Sequence, residues 1–194
     1  MLIQKSRFLK SMKNISDYPD TGMPEIAVCG RSNVGKSSLI NLLTGNYKIA
    51  KISTTPGKTR LVNFFVLNEQ FLLVDLPGYG FASVSKSEKD TWPEMIEGYL
   101  QNAKNLKALL LLIDLRRGPS EDDIKMLMWA AHYGLNVIIA ATKADKIAKT
   151  KRFELLMNIK QKSGGIDYPV VAVSSLNKTG QQELLEEIEK ALQK

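Results

Sequence analysis

The chain has 194 residues, enough for one α/β domain, and its 44% hydrophobic and 24% charged residues are typical of a globular protein. It contains no apolar run of about 18 residues, which excludes a membrane-spanning helix. The single cysteine, Cys29, excludes an internal disulfide and suits the reducing cytoplasm. The net charge of +7 favours RNA or another anionic surface as a partner.

The first 24 residues form a basic extension that precedes the regular pattern of strands and helices. Its basic side chains are Lys5, Arg7, Lys10 and Lys13. Two interpretations stay open: a solvated tail or edge element packed on the domain, and a basic arm that binds RNA. The predicted organisation is an extension over residues 1–24 and a single domain over residues 25–194.

A phosphate-binding motif follows the first predicted strand, over residues 25–29. Residues 30–37 read Gly-Arg-Ser-Asn-Val-Gly-Lys-Ser and fit the P-loop pattern, and a helix is predicted over residues 38–43. Gly30 and Gly35 allow a tight turn that brings backbone N–H groups close to a polyphosphate. The dipole of the following helix favours the same phosphates.

The end of this motif supplies charge and a metal ligand. Lys36 can neutralise the β- and γ-phosphates, and the Ser37 hydroxyl can bind Mg²⁺. The sequence therefore predicts a nucleoside triphosphate as ligand. The predicted contacts in this loop are Gly30, Arg31, Ser32, Asn33, Val34, Gly35, Lys36, Ser37 and Ser38.

Residues 45–60 are poor in large apolar side chains and are predicted to form a long loop that a ligand orders. In GTPases the first switch lies here, and one of its threonines closes on Mg²⁺ and the γ-phosphate. Thr54, Thr55 and Thr59 are all candidates, and their spacing does not choose among them.

Two strands predicted over residues 61–67 and 71–74 form a hairpin, which ends in the D-x-x-G motif. Asp75 can hold Mg²⁺ through water, and the Gly78 N–H can sense the γ-phosphate. Tyr79 stands where most small GTPases have the glutamine that orients the attacking water. Because tyrosine lacks the amide carbonyl, unaided hydrolysis should be slow, on the order of 10⁻⁴ to 10⁻² s⁻¹.

The middle of the chain predicts packing elements rather than chemistry. A helix is expected over residues 87–103, with Trp92 as a core anchor, and a fully buried strand over residues 107–114. A capping sequence then begins a helix over residues 120–133. His132, near the end of that helix, has no metal-spaced partner in the sequence and is interpreted as structural.

A guanine-binding motif follows the strand predicted over residues 137–141. Thr142, Lys143 and Asp145 match [NT]-K-x-D. The Asp145 carboxylate can accept two hydrogen bonds from N1–H and N2–H₂ of guanine, whereas adenine offers no such pair of donors. The Lys143 stem can lie along the base. GTP is therefore predicted over ATP.

The last strand is predicted over residues 170–173 and delivers Ser174 and Ser175, where backbone N–H groups can meet the guanine O6. An amphipathic helix over residues 179–192 closes the domain.

One-sided positive charge marks residues 146–163, in which Glu154 is the only acid. Helical charge is usually a solvated face, but such an excess beside the base site favours an RNA-facing patch. Its basic residues are Lys146, Lys149, Lys151, Arg152, Lys160 and Lys162.

Strands alternate with helices, one early hairpin interrupts the alternation, and each ligand motif follows a strand. The predicted fold is a three-layer, doubly wound α/β domain, with a mainly parallel sheet and one antiparallel strand. The motif order is that of a P-loop GTPase G domain, and the chain resembles the translation-factor-related GTPases.

From about Pro24 to its end, the chain resembles more closely the EngB (YihA/YsxC) family of bacterial ribosome-assembly GTPases. The motifs that carry this resemblance are Gly-Arg-Ser-Asn-Val-Gly-Lys-Ser, Thr-Pro-Gly-Lys-Thr, Asp-Leu-Pro-Gly-Tyr-Gly-Phe-Ala and Thr-Lys-Ala-Asp. The resemblance implies GTP or GDP and Mg²⁺ as ligands. It also implies the large ribosomal subunit or its rRNA as partner.

The resemblance assigns further roles to individual residues. It implies that Thr59 is the switch threonine and that Gly57 and Lys58 also contact the ligand. The implied metal ligands are Ser37, Thr59 and Asp75, and the implied catalytic residues are Lys36, Thr59 and Gly78. Related GTPases that resemble this phosphate loop use the asparagine at the position of Asn33 to help bind K⁺, so potassium is a possible second cation.

Other functions remain open at this level. The chain could be a binding module for which GTP occupancy alone matters, or a signalling switch that acts on a protein effector without ribosome contact. An ATPase is disfavoured by Asp145. We expect a cytoplasmic monomer with no membrane anchor and no DNA partner.

Overall fold

The computed structural model describes residues 1–46, 48–50, 61–79, 96–164 and 167–194. Within these ranges seven strands form one sheet in the order β1-β3-β4-β2-β5-β6-β7. The strands are β1 (Ser6–Met12), β2 (Glu25–Gly30), β3 (Val62–Leu67), β4 (Phe71–Asp75), β5 (Leu106–Asp114), β6 (Asn136–Thr142) and β7 (Val170–Ala172).

Helices cover both faces of the sheet. The described helices are α1 (Lys36–Thr44), α2 (residues 96–102), α3 (Glu121–His132), α4 (Lys149–Lys162) and α5 (Gln181–Leu192). Apolar side chains of α1 and α5 pack on one face of the sheet, and those of α2, α3 and α4 pack on the other. This arrangement confirms the predicted three-layer α/β fold.

Among the strands that the structure describes, β3 alone runs opposite to the others. It runs antiparallel to both neighbours, β1 and β4, whereas the remaining adjacent pairs are parallel. The β3–β4 hairpin turns through Asn68 and Glu69, whose φ values of 52° and 55° are the left-handed pair that a type I′ turn requires. The parallel strands bring their C-terminal ends to one edge, where the predicted ligand motifs lie.

The N-terminal segment contributes an edge strand. Residues 6–12 pair antiparallel with β3, and the Asn68 side-chain oxygen accepts hydrogen bonds from the Gln4 and Lys5 N–H groups at 2.8 and 3.2 Å. Of the interpretations left open for this segment, the structure shows the edge element. The division of the chain after residue 24 stays a prediction.

The capping residues of α3, Cys29 and His132 all lie within the described residues. The Ser120 hydroxyl and the Asp123 carboxylate form the predicted capping box of α3. Cys29 is fully buried in the core, and burial raises the pKa of its thiol. His132 is exposed at the end of α3, and the described residues contain no cluster of potential metal ligands around any histidine. Trp92 lies outside the described residues.

No helix in the described ranges is both long enough and apolar enough to cross a membrane.

Candidate functional site: the phosphate and guanine loops

The phosphate loop joins the end of β2 to the start of α1. A Cβ at Gly30 would lie 2.9 Å from the Leu112 carbonyl oxygen and 3.0 Å from Val34 Cγ1, so a side chain does not fit there. Gly35 precedes α1 with a φ of 106°, a conformation that residues with a side chain rarely adopt. The backbone path of the loop therefore depends on both glycines.

The Asp75 carboxylate lies beside this loop at the end of β4. Asp75 pairs with Val28 of β2 in the sheet and is only 3% exposed. Its carboxylate forms an ion pair with the Lys36 ammonium, and Asn63 Nδ2 lies 3.5 Å from its other oxygen. The phosphate-loop lysine and the D-x-x-G aspartate are thus in contact.

The D-x-x-G segment packs directly on the phosphate loop. A Cβ at Gly78 would be 3.4 Å from both the Gly30 oxygen and the Ser32 nitrogen. The Tyr79 N–H donates to the Gly30 carbonyl at 3.3 Å, and the Ser32 N–H donates to the Tyr79 carbonyl at 2.9 Å. A shift of the backbone at Gly78 would therefore also shift the phosphate loop.

The Tyr79 side chain points into the domain. It is 4% exposed, and its hydroxyl donates a hydrogen bond to Asp123 near the start of α3. Burial, followed by the nearby Cys29 and Asp123, raises the pKa of Tyr79 far above the usual value. The phenol is therefore neutral and held between the D-x-x-G segment and α3.

Thr142 and Lys143 hold the phosphate loop from the side of the guanine motif. The Thr142 hydroxyl donates to the Val34 carbonyl at 2.8 Å, and Lys143 Nζ donates to the Asn33 carbonyl at 2.8 Å. We call these two bonds the P-loop clasp. The clasp joins two motifs that are more than a hundred residues apart in the chain.

Asp114 at the end of β5 was missed by the sequence analysis. Arg116 donates to it through Nε at 2.9 Å and Nη2 at 2.6 Å, and Lys143 Nζ lies 3.0 Å from its Oδ2. Partial burial raises the pKa of Asp114, but these hydrogen bonds outweigh it and hold the pKa well below its usual range. Asp114 therefore anchors the lysine of the clasp.

Asp145 is oriented by a serine from the loop after β7. The Ser174 hydroxyl donates to Asp145 Oδ1 at 2.7 Å, and it accepts from the Leu176 N–H at 3.2 Å. The bond from Ser174 lowers the pKa of Asp145, against the partial desolvation that raises it. Ser174 thus acts through its side chain, whereas the sequence suggested only a backbone role. Ser175 is half-buried next to it.

The described residues bring most of the predicted site to one edge of the sheet. Residues 30–38 form the loop and the first turn of α1, and the D-x-x-G, guanine and Ser174 loops surround it. The predicted contacts Gly57, Lys58 and Thr59 lie outside the described residues.

This fold and this set of loops define a P-loop GTPase domain. Residues 25–143 match the family model described as 50S ribosome-binding GTPase. Among curated proteins, the chain is 51% identical over 187 residues to the probable GTP-binding protein EngB of Clostridium perfringens strain SM101, covering 96% of this chain and 95% of that protein. It is 49% identical to the protein of the same name from Desulfosudis oleivorans, covering 97% and 95%. The chain belongs to the EngB family of GTP-binding proteins, and it is a GTPase.

Solved structures agree with this assignment. A crystal structure of a probable GTP-binding protein engB superposes with a TM-score of 0.72 at 26% identity, covering 87% of this chain and 98% of that one. Era from Aquifex aeolicus, bound to GDP·AlF₄⁻, gives a TM-score of 0.70 at 27% identity, with coverage of 87% and 56%. Era in complex with MgGDPNP and nucleotides 1506–1542 of 16S ribosomal RNA gives 0.69 at 26% identity, also covering 87% and 56%.

Proposed function

We propose that this GTPase is a GTP-controlled assembly factor that binds the large ribosomal subunit through its rRNA, as a cytoplasmic monomer. The observation that carries the proposal is the charge of helix α4, which follows the guanine motif. All fourteen residues of α4 are described, and only Ile159 among them is buried. No described carboxylate forms an ion pair with Lys149, Lys151 or Lys162.

A polyanion is the partner that such a helix fits. Neutralising phosphates with lysine and arginine releases counterions, and this release supplies much of the affinity for nucleic acid. The description of the matching family model supports the large ribosomal subunit as partner, and the likeness to Era, solved with a fragment of 16S ribosomal RNA, supports RNA as the ligand.

The proposed nucleotide contacts follow the geometry of the loops. Backbone N–H groups of residues 30–38 that do not already donate within the protein, as those of Ser32 and Val34 do, bind the phosphates together with the Lys36 ammonium. Asp145, oriented by Ser174, accepts hydrogen bonds from guanine. Lys143 lies along the base while its ammonium holds Asn33. The further proposed contacts are Gly57, Lys58, Thr59, Asp75, Gly78, Thr142 and Ser175.

The described residues fit Mg²⁺ bound with GTP. Mg²⁺ prefers oxygen ligands and keeps several waters, and Ser37 and Asp75 offer a hydroxyl and a carboxylate at the same edge of the sheet. Thr59 is the proposed third group. The ion would neutralise charge on the β- and γ-phosphates. In the nucleotide-bound protein, Lys36 would exchange Asp75 for phosphate oxygens.

Hydrolysis in this proposal is slow without a partner. Lys36, the Gly78 N–H and Thr59 would stabilise charge on the transferring phosphoryl group. The Tyr79 side chain is hydrogen-bonded to Asp123 inside the domain, so it does not orient the attacking water. We propose that the ribosomal partner, or K⁺ bound near Asn33, completes the site. If GTP turnover is equal in K⁺ and Na⁺, with and without ribosomal subunits, K⁺ does not complete the site.

The test is co-sedimentation of the purified protein with large ribosomal subunits. GDP is compared with a non-hydrolysable GTP analogue at two salt concentrations. Binding that needs the triphosphate form and weakens with salt supports the proposal. Equal binding of the GDP and GTP-analogue forms would contradict control of ribosome binding by GTP. No binding in either state favours a protein effector instead.

A further inference from the structure

Helix α4 exposes apolar side chains as well as charge. The Phe153 side chain is 74% exposed and Met157, one helical turn later, is 49% exposed. Residues spaced by three or four positions lie on one side of a helix, so Lys149 and Lys160 extend the same stripe in both directions. We call the stripe of Lys149, Phe153, Met157 and Lys160 the α4 face.

A shallow groove runs along this face. Its lining is two apolar side chains, two amides, one ammonium group and two carboxylates: Phe153, Met157, Asn158, Gln161, Lys160, Glu154 and Asp167. An aromatic ring, neighbouring amides and flanking ammonium groups are the combination that proteins use for single-stranded RNA. The ring stacks on a base, the amides read the base edge, and the cations bind phosphates.

We propose that the α4 face binds an unpaired base of large-subunit rRNA, stacked on Phe153, with Lys149 and Lys160 on the flanking phosphates. This inference rests on the proposed rRNA partner. The excess of basic over acidic residues on α4 decides for RNA over an apolar protein partner. The Asp167 carboxylate, which lies 3.3 Å from Lys160 Nζ, can accept a hydrogen bond from a base amino group.

The first experiment removes the ring. Binding of the GTP-analogue form is measured to intact large subunits and, separately, to deproteinised large-subunit rRNA. Phe153→Ala should weaken both by about 5- to 150-fold, the range for loss of one stacked base. Phe153→Trp should restore binding, because any base can stack on indole. Met128→Ala is the matched control, since Met128 is 69% exposed on α3.

The second experiment removes the charge. Lys149→Glu should weaken binding and reduce the dependence of log affinity on log salt by about one. Lys125→Glu makes the same charge change at an exposed lysine of α3 and should leave the slope unchanged. GTP binding of every variant should match that of the unmodified protein, and so should the thermal unfolding of Phe153→Ala, Phe153→Trp and Met128→Ala.

The outcomes separate this inference from the proposed function. If the unmodified protein binds both targets and Phe153→Ala binds equally well, the stacking inference is wrong and the proposed function stands. If Phe153→Ala weakens binding to intact subunits but not to naked rRNA, the α4 face contacts a ribosomal protein, and the inference is overturned. If the unmodified protein binds neither target, the proposed function fails, and this inference fails with it.

Discussion

The Thr142 hydroxyl donates a hydrogen bond to the Val34 carbonyl of the phosphate loop, and removal of the hydroxyl should weaken nucleotide binding. Thr142→Val keeps the shape but leaves the Val34 carbonyl without this bond, which costs about 1–3 kcal/mol of stability. Because the loop is then less well held, GTP and GDP should both bind about tenfold more weakly. Denaturant unfolding and fluorescent-nucleotide titration measure the two effects. Thr142→Ser should behave as the unmodified protein, and equal loss in both variants would contradict the argument.

Asp114 should make stability depend on pH. Its pKa in the folded protein is below the unfolded value of about 3.9. Its contribution is therefore present above about pH 4 and is lost as the pH falls through the folded pKa. Asp114→Asn lacks this contribution, and it should also loosen Lys143 and weaken GTP binding.

The measurement for Asp114 is the free energy of unfolding at a series of pH values. The gap between the free energies of unfolding of the unmodified protein and Asp114→Asn should be constant from about pH 7 to about pH 5 and should narrow as the pH falls below about 4. Asp167→Asn is the control, because Asp167 is 94% exposed and exposed ion pairs contribute little. A gap that is constant with pH would show that the Asp114 charge does not stabilise the fold.

The positive charge in the first turn of helix α4 opposes the helix dipole. Its first turn contains Lys149, Lys151 and Arg152 but no acidic residue, and no side chain caps its N-terminus. Lys149→Glu should therefore raise the free energy of unfolding by about 0.3–1 kcal/mol. Lys162→Glu, in the last turn, should lower it by a similar amount. A change of the same sign in both variants would rule out the dipole explanation.

Local sequence patterns predicted most of the helices and strands, but they did not predict every contact between them. The β3–β4 hairpin and the parallel strands followed from short turns and long apolar runs. Strand β1 was missed as a definite strand because Ser6–Met12 mixes charged and apolar residues, and its partner β3 lies about fifty residues later. Asp114 was missed for a related reason: its role comes from contact with Lys143 across the sheet, which no local motif records.

At the scale of the whole molecule, Tyr79 connects the phosphate loop to helix α3. Its backbone bonds to the loop, and its hydroxyl donates to Asp123. Tyr79→Phe removes one hydrogen bond to a buried carboxylate and should cost about 1–3 kcal/mol of stability. Basal GTP turnover should change little, because the hydroxyl points away from the phosphate loop. Urea unfolding and single-turnover hydrolysis measure these effects. Loss of basal turnover without loss of stability would place the hydroxyl in the reaction.

The P-loop clasp consists of hydrogen bonds from Thr142 and Lys143, and Asp145 takes no part in it. A substitution at Asp145 can therefore change the specificity for the base without changing the affinity for the phosphates. Asp145→Asn keeps an oxygen for Ser174 and replaces one acceptor by an N–H donor, which suits the 2-oxo group of xanthine. The variant should prefer XTP over GTP in competition binding while retaining its affinity for the phosphates. A cell that carries this variant would then have one GTPase controlled by a nucleotide that its other GTPases ignore, which offers an orthogonal handle for timing its action.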